Sequence, residues 1–142
     1  EHVDKNFVEY RNRLVYILNH EASLMEIVKL IGAYVLPDDQ KLVLDIAKVI
    51  RVGFLQQNAF HKDDTCVPLI KQYKMMDVIL YLYQKSKALV HQGMPMSVLH
   101  QDSIWDKVSS IKYDVPNDKL EMLDQYKKDI DTFYEKVLEK NA

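Results

Sequence analysis

Glycine and proline are sparse in this sequence, so few positions force the chain to turn. Three glycines and four prolines are spread over 142 residues, far fewer than the turns of an all-β protein need. Between them, apolar side chains recur three and four positions apart, which is the period of an amphipathic helix. The sequence therefore predicts an all-α fold, a helical bundle of about five to six mostly antiparallel helices joined by short connections.

Local signals indicate where these helices begin and end. Ser23, with Glu26 three positions later, forms a capping box and predicts a new helix start. Pro37 suits the first turn of another helix, and Asn117 is a good N-cap for the last one. The helical segments are therefore predicted at residues 6–19, 23–31, 37–55, 68–91, 96–99, 103–111 and 118–139.

Length, composition and charge limit the classes of protein to which this chain can belong. The length suits one domain, residues 1–142, and the apolar (48%) and charged (28%) fractions are typical of soluble globular proteins. A net charge of −2 gives no field that would attract nucleic acid or an anionic membrane. No apolar run approaches the ~20 residues that span a bilayer, and the single cysteine, Cys66, indicates a reducing compartment. The first residue is not methionine, so we expect a piece of a longer protein.

The sequence carries no glycine-rich phosphate loop and no other common catalytic motif, so we assign no catalytic residue. A predicted loop over residues 58–68 holds four side chains that could bind a metal. A second ligand pair is lacking, so a polar loop without a metal site is the simpler interpretation. Cys66 would need a positioned base to act as a nucleophile. The four side chains are those of His61, Asp63, Asp64 and Cys66.

Two further patterns have a structural interpretation. Met75 and Met76 could form an adaptable binding surface, yet methionines at helical spacing more often fill gaps in a core. The charged side chains of the last predicted helix, including Lys127, Asp129 and Asp131, are most simply a solvated face.

One stretch combines aromatic rings with side-chain amides at a predicted helix end. Phe54 and Phe60 flank Gln56, Gln57 and Asn58. Aromatic rings can stack on a nucleobase, and amides can read its edge. From these residues alone, a buried helix end is the simpler explanation, because aromatic side chains at such ends usually pack.

Three blocks of sequence follow one another at residues 26–32, 54–61 and 71–75. They read EIVKLIG, FLQQNAFH and KQYKM. In this order and spacing they resemble the catalytic A subunit of V-type and A-type ATPases, and the second block is the most specific. A GMPM turn at residues 93–96 adds a weaker match, whereas the first ~20 and last ~40 residues match by helical pattern only.

The resemblance implies a C-terminal helical domain whose β-barrel and nucleotide-binding domains lie upstream. The phosphate loop and the general-base glutamate would lie there too, so this fragment alone should be inactive. The intact subunit would bind ATP or ADP, with Mg²⁺ bound upstream, and no cofactor is expected in the isolated fragment. The implied partners are the B subunit and the central-stalk subunits, in a cytoplasmic head peripheral to the membrane and without membrane insertion. The implied role is to couple ATP hydrolysis or synthesis to rotation in a proton- or sodium-translocating machine.

By the same resemblance, the 54–61 block is the segment that closes over adenine. Phe60 is the best candidate to pack against the base. Gln56, Phe54 and Ala59 would shape the wall of the pocket.

The resemblance also implies that the turn at residues 32–41 bears on the central stalk. Its tip consists of Leu36, Pro37, Asp38 and Asp39. The tip takes the place of an acidic loop in the related F-type β subunit and is less acidic here. Stiff helices on both sides of such a turn could transmit a displacement to a rotor.

The chain departs from the family pattern at Val52 and Gly53, where acidic residues are expected. A glycine inside a helix costs about 1 kcal/mol relative to alanine. We therefore expect Gly53 to loosen the helix just before the adenine segment.

Two other functions are compatible with parts of the sequence. A stand-alone helical adaptor could bind a partner helix in a groove rich in methionine and tyrosine. A small enzyme could use the 61–66 loop, in which case the purified protein would contain a metal. Neither alternative explains the three ordered blocks.

Overall fold

A computed structural model of the chain describes residues 2–56 and 67–141, with side chains described from residue 5 onward. The described residues contain helices and turns and no β-strand, which confirms the predicted all-α bundle. The helices are α1 (His2–Ile31), α2 (Asp38–Ile50), α3 (Leu69–His91), α4 (Met96–Leu99), α5 (Ile104–Ser109), α6 (Ile111–Asp114) and α7 (Leu123–Lys140). Short 3-10 turns cover Ala33–Val35 and Leu120–Met122, and a π-helical turn covers Arg51–Leu55.

Helix α3 lies at the centre of the bundle and packs against α1, α2 and α7. Its buried side chains include Met75 and Met76, which are at most 1% exposed, so the core interpretation of these methionines is confirmed. Helix α2 is also buried along most of its length, because apolar side chains occupy more than one of its faces. The largest fully buried apolar side chains are Phe133, Leu42, Ile46, Ile50, Met75, Met76, Ile79, Leu82, Leu89, Leu99 and Ile111.

The predicted break between the first two helices is wrong. Helix α1 runs without interruption for 30 residues, and Ser23 lies inside it with its Oγ donating to the Asn19 carbonyl at 3.4 Å. No glycine or proline separates the two predicted segments. The buried positions Leu14, Ile17 and Leu24 keep one helical face in the core on both sides of the predicted break. That continuous apolar face outweighs the local capping signal.

The third predicted helix changes geometry before its end. Regular α-helix stops at Ile50, and the backbone N–H of Gln56 donates to the Arg51 carbonyl at 2.7 Å, five residues back. At the other end, Pro37 precedes the first helical residue, because it occupies the N-cap and not the first turn. The helical segment thus ends at Leu55 as predicted, with π geometry over its last five residues, and it begins one residue later than predicted.

The C-terminal third also differs from the prediction in detail. The segment expected at 103–111 is divided into α5 and α6, and the last α-helix begins at Leu123 instead of 118. Asn117 does not cap it: its Oδ1 accepts a hydrogen bond from Lys71 Nζ at 2.8 Å. The predictions for 68–91 and 96–99 are confirmed within one residue by α3 and α4.

The charged side chains of α7 do more than face solvent. Lys127 Nζ lies 3.1 Å from Asp77 of α3, Asp129 pairs with Lys107 of α5, and Asp131 Oδ1 lies 3.8 Å from Lys85 Nζ. These side chains are all partly exposed, so each pair contributes about 0–1 kcal/mol. Their effect is to fix how α7 lies on its neighbours.

Candidate functional site

The structure describes part of the predicted adenine pocket, all of the predicted stalk-contact turn and none of the four side chains of the predicted metal loop. Gln56 and Phe54 of the 54–61 block are described, and so is the whole turn at 32–41. The remaining predicted positions lie outside the described residues, namely Phe60 and Ala59 of the predicted pocket and His61, Asp63, Asp64 and Cys66 of the predicted loop.

Phe54 lies at the edge of the core. Its side chain is partly buried and packs against the buried cluster. It also lines a cavity of about 380 Å³ between α1 and α3, together with Phe7, Leu18 and Met76. Gln56, two residues later, has an exposed side chain. The chain therefore leaves the core between these two residues.

Lys112 of α6 holds the backbone at this exit. Its Nζ donates to the carbonyl of Phe54 at 3.3 Å and to the carbonyl of Gln56. The Tyr113 hydroxyl donates to the same Gln56 carbonyl at 3.2 Å. Carbonyls at a helix end lack helical partners and favour a cation. Lys112 therefore supplies the cap that ends the π-helical turn.

A second buried lysine, Lys71, binds the backbone of the residue that carries the first one, Lys112. Lys71 of α3 is 0% exposed. Its Nζ donates to the carbonyls of Lys112 at 2.9 Å and Val115 at 2.6 Å, and to Asn117 Oδ1 at 2.8 Å. These bonds satisfy an ammonium group that would otherwise be costly to bury. They also fix α6 against α3.

Gly53 has a packing role in the same place. It is buried, and a Cβ built on it would lie 3.1 Å from the carbonyl oxygens of both Ser109 and Val108. A larger residue would push the π-helical turn away from α5. At Gly53 the helix therefore has π geometry and its backbone lies close to that of α5. Arg51, two residues before Gly53, forms an ion pair with Glu21 of α1.

The turn between α1 and α2 begins at Gly32, whose φ of 86° favours glycine. Leu36 is only 5% exposed and belongs to the core. Asp38 Oδ2 accepts the Met96 backbone N–H at 3.1 Å, so this carboxylate fixes the turn to α4. Pro37 and Asp39 are the members of the predicted tip that are exposed.

Four apolar side chains at the end of α1 and in the turn after it are exposed although the sequence analysis did not predict it, and we call them the apolar tip. They are largely exposed: Leu30 by 84%, Ile31 by 63%, Tyr34 by 96% and Val35 by 56%. Contiguous exposed apolar side chains commonly mark a contact surface. A sequence signal existed for Leu30, which lies off the apolar stripe of the predicted 23–31 helix. Ile31 lies on that stripe with Leu24, so its exposure was not predicted.

Two tyrosines whose pKa values are raised lie where helices contact each other. The hydrogen bond to Asp131 raises the pKa of Tyr81 to about 12. Burial and the charge of Asp77 raise the pKa of Tyr10 to about 12. Within the described residues, the side chains that shift these two pKa values are those of Asp77, Tyr73 and Asp131, and none of them is a thiol or a serine hydroxyl. In residues 2–56 and 67–141 we also find no cluster of three or more potential ligands for a metal ion.

Comparison with known protein families gives a match that covers most of the chain. The family model of the C-terminal domain of V and A type ATP synthase matches residues 1–99. The chain belongs to this family. The three blocks that suggested it at 26–32, 54–61 and 71–75 all lie within the matched range.

Individual members of the family match over almost the whole chain. The V-type ATP synthase alpha chain 2 of Clostridium tetani is 40% identical over 139 residues, which is 98% of this chain and 24% of the relative. The alpha chain of Halothermothrix orenii is 36% identical with the same coverage. The A subunit of the A-type ATP synthase of Methanopyrus kandleri is 35% identical over 98% of this chain and 24% of its own length. The similarity therefore includes α5 to α7, beyond the helical pattern that the sequence alone gave.

This chain spans about a quarter of the length of the curated relatives it matches. In the described part of the ATP synthase domain, no helix combines the length and the apolarity that crossing a membrane requires.

Proposed function

We propose that this domain belongs to the catalytic A subunit of a V/A-type ATPase and couples nucleotide binding to rotation of the central stalk. In this proposal Phe60 packs against adenine, and Gln56, Phe54 and Ala59 shape the pocket wall. The turn carrying Leu36, Pro37, Asp38 and Asp39 bears on the stalk. ATP or ADP binds in the intact subunit with Mg²⁺ held upstream, and the neighbours are the B subunit and the stalk subunits of a cytoplasmic head.

One observation carries the coupling part of this proposal. A single buried helix, α2, begins directly after the turn at Pro37 and ends directly before the π-helical turn. Its 13 residues correspond to about 20 Å. Because α2 is embedded in the core, displacement of one end must move the other. The two proposed contact regions are thus the two ends of one rigid element.

The apolar tip supports the stalk contact in a modified form. Leu36 is buried and Asp38 is bonded to α4, so these two residues would shape the turn from inside. Pro37 and Asp39, together with the neighbouring Tyr34 and Val35, would provide the surface that meets the stalk. The contact would then depend on apolar burial more than on charge.

The adenine assignment is tested by Phe60→Ala in the intact ATPase complex. Loss of an aromatic ring from a base stack costs roughly 1–3 kcal/mol, so the KM for ATP should rise about tenfold. Tyr16→Ala is a matched control, because Tyr16 is an aromatic residue that is 70% exposed on α1. Unchanged ATP affinity and turnover in Phe60→Ala would remove Phe60 from the pocket.

The stalk assignment is tested by disulfide crosslinking. Pro37→Cys would be combined with single cysteines along the stalk subunit, in a Cys66→Ser background that removes the only native thiol of this chain. We expect a crosslink in at least one rotational state. Glu139→Cys near the end of α7 provides the control position. Absence of any Pro37→Cys crosslink in all states would overturn the stalk contact.

A further inference from the structure

We propose that Lys112 is a positioning residue that sets nucleotide affinity by fixing the backbone carbonyls of Phe54 and Gln56. The proposal rests on the function above, because it takes the segment after Gln56 to border adenine. Lys112 itself does not contact nucleotide in this proposal. Its effect on affinity is indirect, because it fixes the backbone at Phe54 and Gln56, from which the proposed adenine segment continues.

The first support is convergence on a short stretch of backbone. Lys112 Nζ binds the carbonyls of Phe54 and Gln56, and Tyr113 binds Gln56 again. Gly53 lies so close to α5 that an added Cβ would be 3.1 Å from the carbonyl oxygens of Val108 and Ser109. Residues of α5 and α6 therefore hold three of the four positions from 53 to 56. A chain held at successive positions has few directions in which to continue.

The second support is the burial of both lysines. Lys112 is 3% exposed and Lys71 is 0% exposed. Burying an ammonium group carries a desolvation penalty of several kcal/mol, and apolar replacements of buried charges are often neutral or stabilising. Two buried lysines are therefore a poor solution if stability is the only requirement. They do provide directed hydrogen bonds to carbonyls, which apolar side chains cannot.

The third support is that Lys112 is itself held in place. Lys71 Nζ donates to the carbonyl of Lys112 at 2.9 Å and to that of Val115 at 2.6 Å. The backbone of α6 is therefore fixed to α3 at the residue whose side chain reaches Gln56. A continuous series of hydrogen bonds runs from the central helix of the bundle to the exit of the 54–61 block.

The expected consequence concerns affinity more than turnover. If the segment adopts its binding geometry for only part of the time, the apparent dissociation constant rises in inverse proportion to that part. At saturating ATP the nucleotide restores the geometry, so kcat should change little. A residue that only stabilises the fold would instead lower the yield of assembled complex without a selective change in KM.

The test is Lys112→Met in the intact ATPase complex, with KM, kcat and equilibrium ADP binding measured. We expect KM for ATP and the dissociation constant for ADP to rise by about tenfold, with kcat changed by less than about twofold. Lys112→Arg keeps a cation and should recover part of the affinity. Lys107→Met is the matched control, because Lys107 is a partly exposed lysine of α5 paired with Asp129, and it should change neither constant.

Tyr113→Phe keeps the proposal testable if Lys112→Met does not assemble. It removes one hydroxyl, and with it the 3.2 Å bond to the Gln56 carbonyl. It should weaken ADP binding in the same direction and by a smaller factor. Unchanged affinity in whichever of the two variants assembles would overturn the role of Lys112.

The outcomes separate this inference from the proposed function. If Phe60→Ala weakens ATP binding while Lys112→Met and Tyr113→Phe do not, the inference fails and the adenine assignment stands. If all three variants bind nucleotide normally, both fail. Weakened binding in Lys112→Met with normal binding in Phe60→Ala would support the positioning role and remove Phe60 from the pocket.

Discussion

Gly53 and Ser109 approach so closely that a Cβ on Gly53 would lie 3.1 Å from the Ser109 carbonyl oxygen. The obstacle is backbone, so it cannot rotate away as a flexible side chain would. Gly53→Ala should therefore lower the free energy of unfolding. Overpacking typically costs about 1–3 kcal/mol, and the gain in helix propensity offsets about 1 kcal/mol of it. We expect a net loss of about 1 kcal/mol, measured by urea denaturation.

Val52→Ala is the matched control for this prediction. Val52 is the neighbouring residue in the same π-helical turn and is 37% exposed. Its replacement should change stability by less than about 0.5 kcal/mol. A Gly53→Ala variant as stable as the parent would show that the π-helical turn can move away from α5 without cost.

Ser23→Ala distinguishes a cap from a position inside a helix. Loss of an N-cap typically costs about 1 kcal/mol. Ser23 lies inside α1 and bonds to the preceding turn at 3.4 Å, so we expect a change within about 0.5 kcal/mol, with alanine favoured. Leu24→Ala, next to it and 4% exposed, should lose about 2–5 kcal/mol. A clear loss of stability in Ser23→Ala, seen in the urea midpoint, would restore the predicted helix break.

The pair formed by His100 and Asp45 predicts a pH dependence of stability. His100 Nε2 lies 2.7 Å from Asp45 Oδ2. This hydrogen bond raises the pKa of His100, burial and the charge of Lys48 oppose the rise, and the charges of Asp45 and Asp106 add to it. A raised folded-state pKa stabilises the protein below the unfolded value, about 6.5, and the gain is lost as pH rises through the folded value.

The free energy of unfolding should therefore decrease from about pH 6.5 upward. His100→Gln should remove this decrease, whereas His91→Gln, at an exposed histidine ending α3, should retain it. Equilibrium denaturation at intervals from about pH 5 to about pH 9 measures the effect. An equal slope in parent and His100→Gln would assign the dependence to other groups.

Tyr34→Ala tests the apolar tip within the proposed function. Tyr34 is 96% exposed in the domain, and burial of an aromatic side chain at an interface contributes about 1.5–3 kcal/mol. In the intact complex we expect weaker coupling of ATP hydrolysis to rotation, seen as lower torque in single-molecule rotation. ATP affinity should stay unchanged. Tyr16→Ala, at an exposed tyrosine in the middle of α1 and outside the apolar tip, should leave torque unchanged.

Sequence patterns located the long helices because the signals that define them are local. Helix α3 begins after Pro68 and ends before Gly93, and both boundaries agree with the prediction within one residue. The break at Ser23 rested on an equally local signal, and it was wrong because the apolar face of α1 continues through it. Local signals succeed where the long-range packing agrees with them.

The lysine hydrogen bonds that hold the backbone at residues 54 and 56 could not be predicted from local sequence signals. Lys71 and Lys112 occur in helical segments, where lysine normally indicates a solvated position. Their burial depends on carbonyl groups that are distant in sequence, since Lys71 and the Lys112 carbonyl are 41 residues apart. The π-helical turn likewise depends on the approach of α5 to Gly53. These features become visible only once the helices are packed.

The burial of Lys71 and Lys112 also changes their chemistry. An amine reagent needs an accessible nitrogen, and both side-chain nitrogens are enclosed and donate hydrogen bonds to oxygen acceptors of the backbone or of Asn117. Acylating reagents should therefore modify exposed lysines such as Lys107 and leave these two intact. Mass-spectrometric mapping of the labelled lysines thus gives a direct report on whether the 53–56 stretch is still attached to α6.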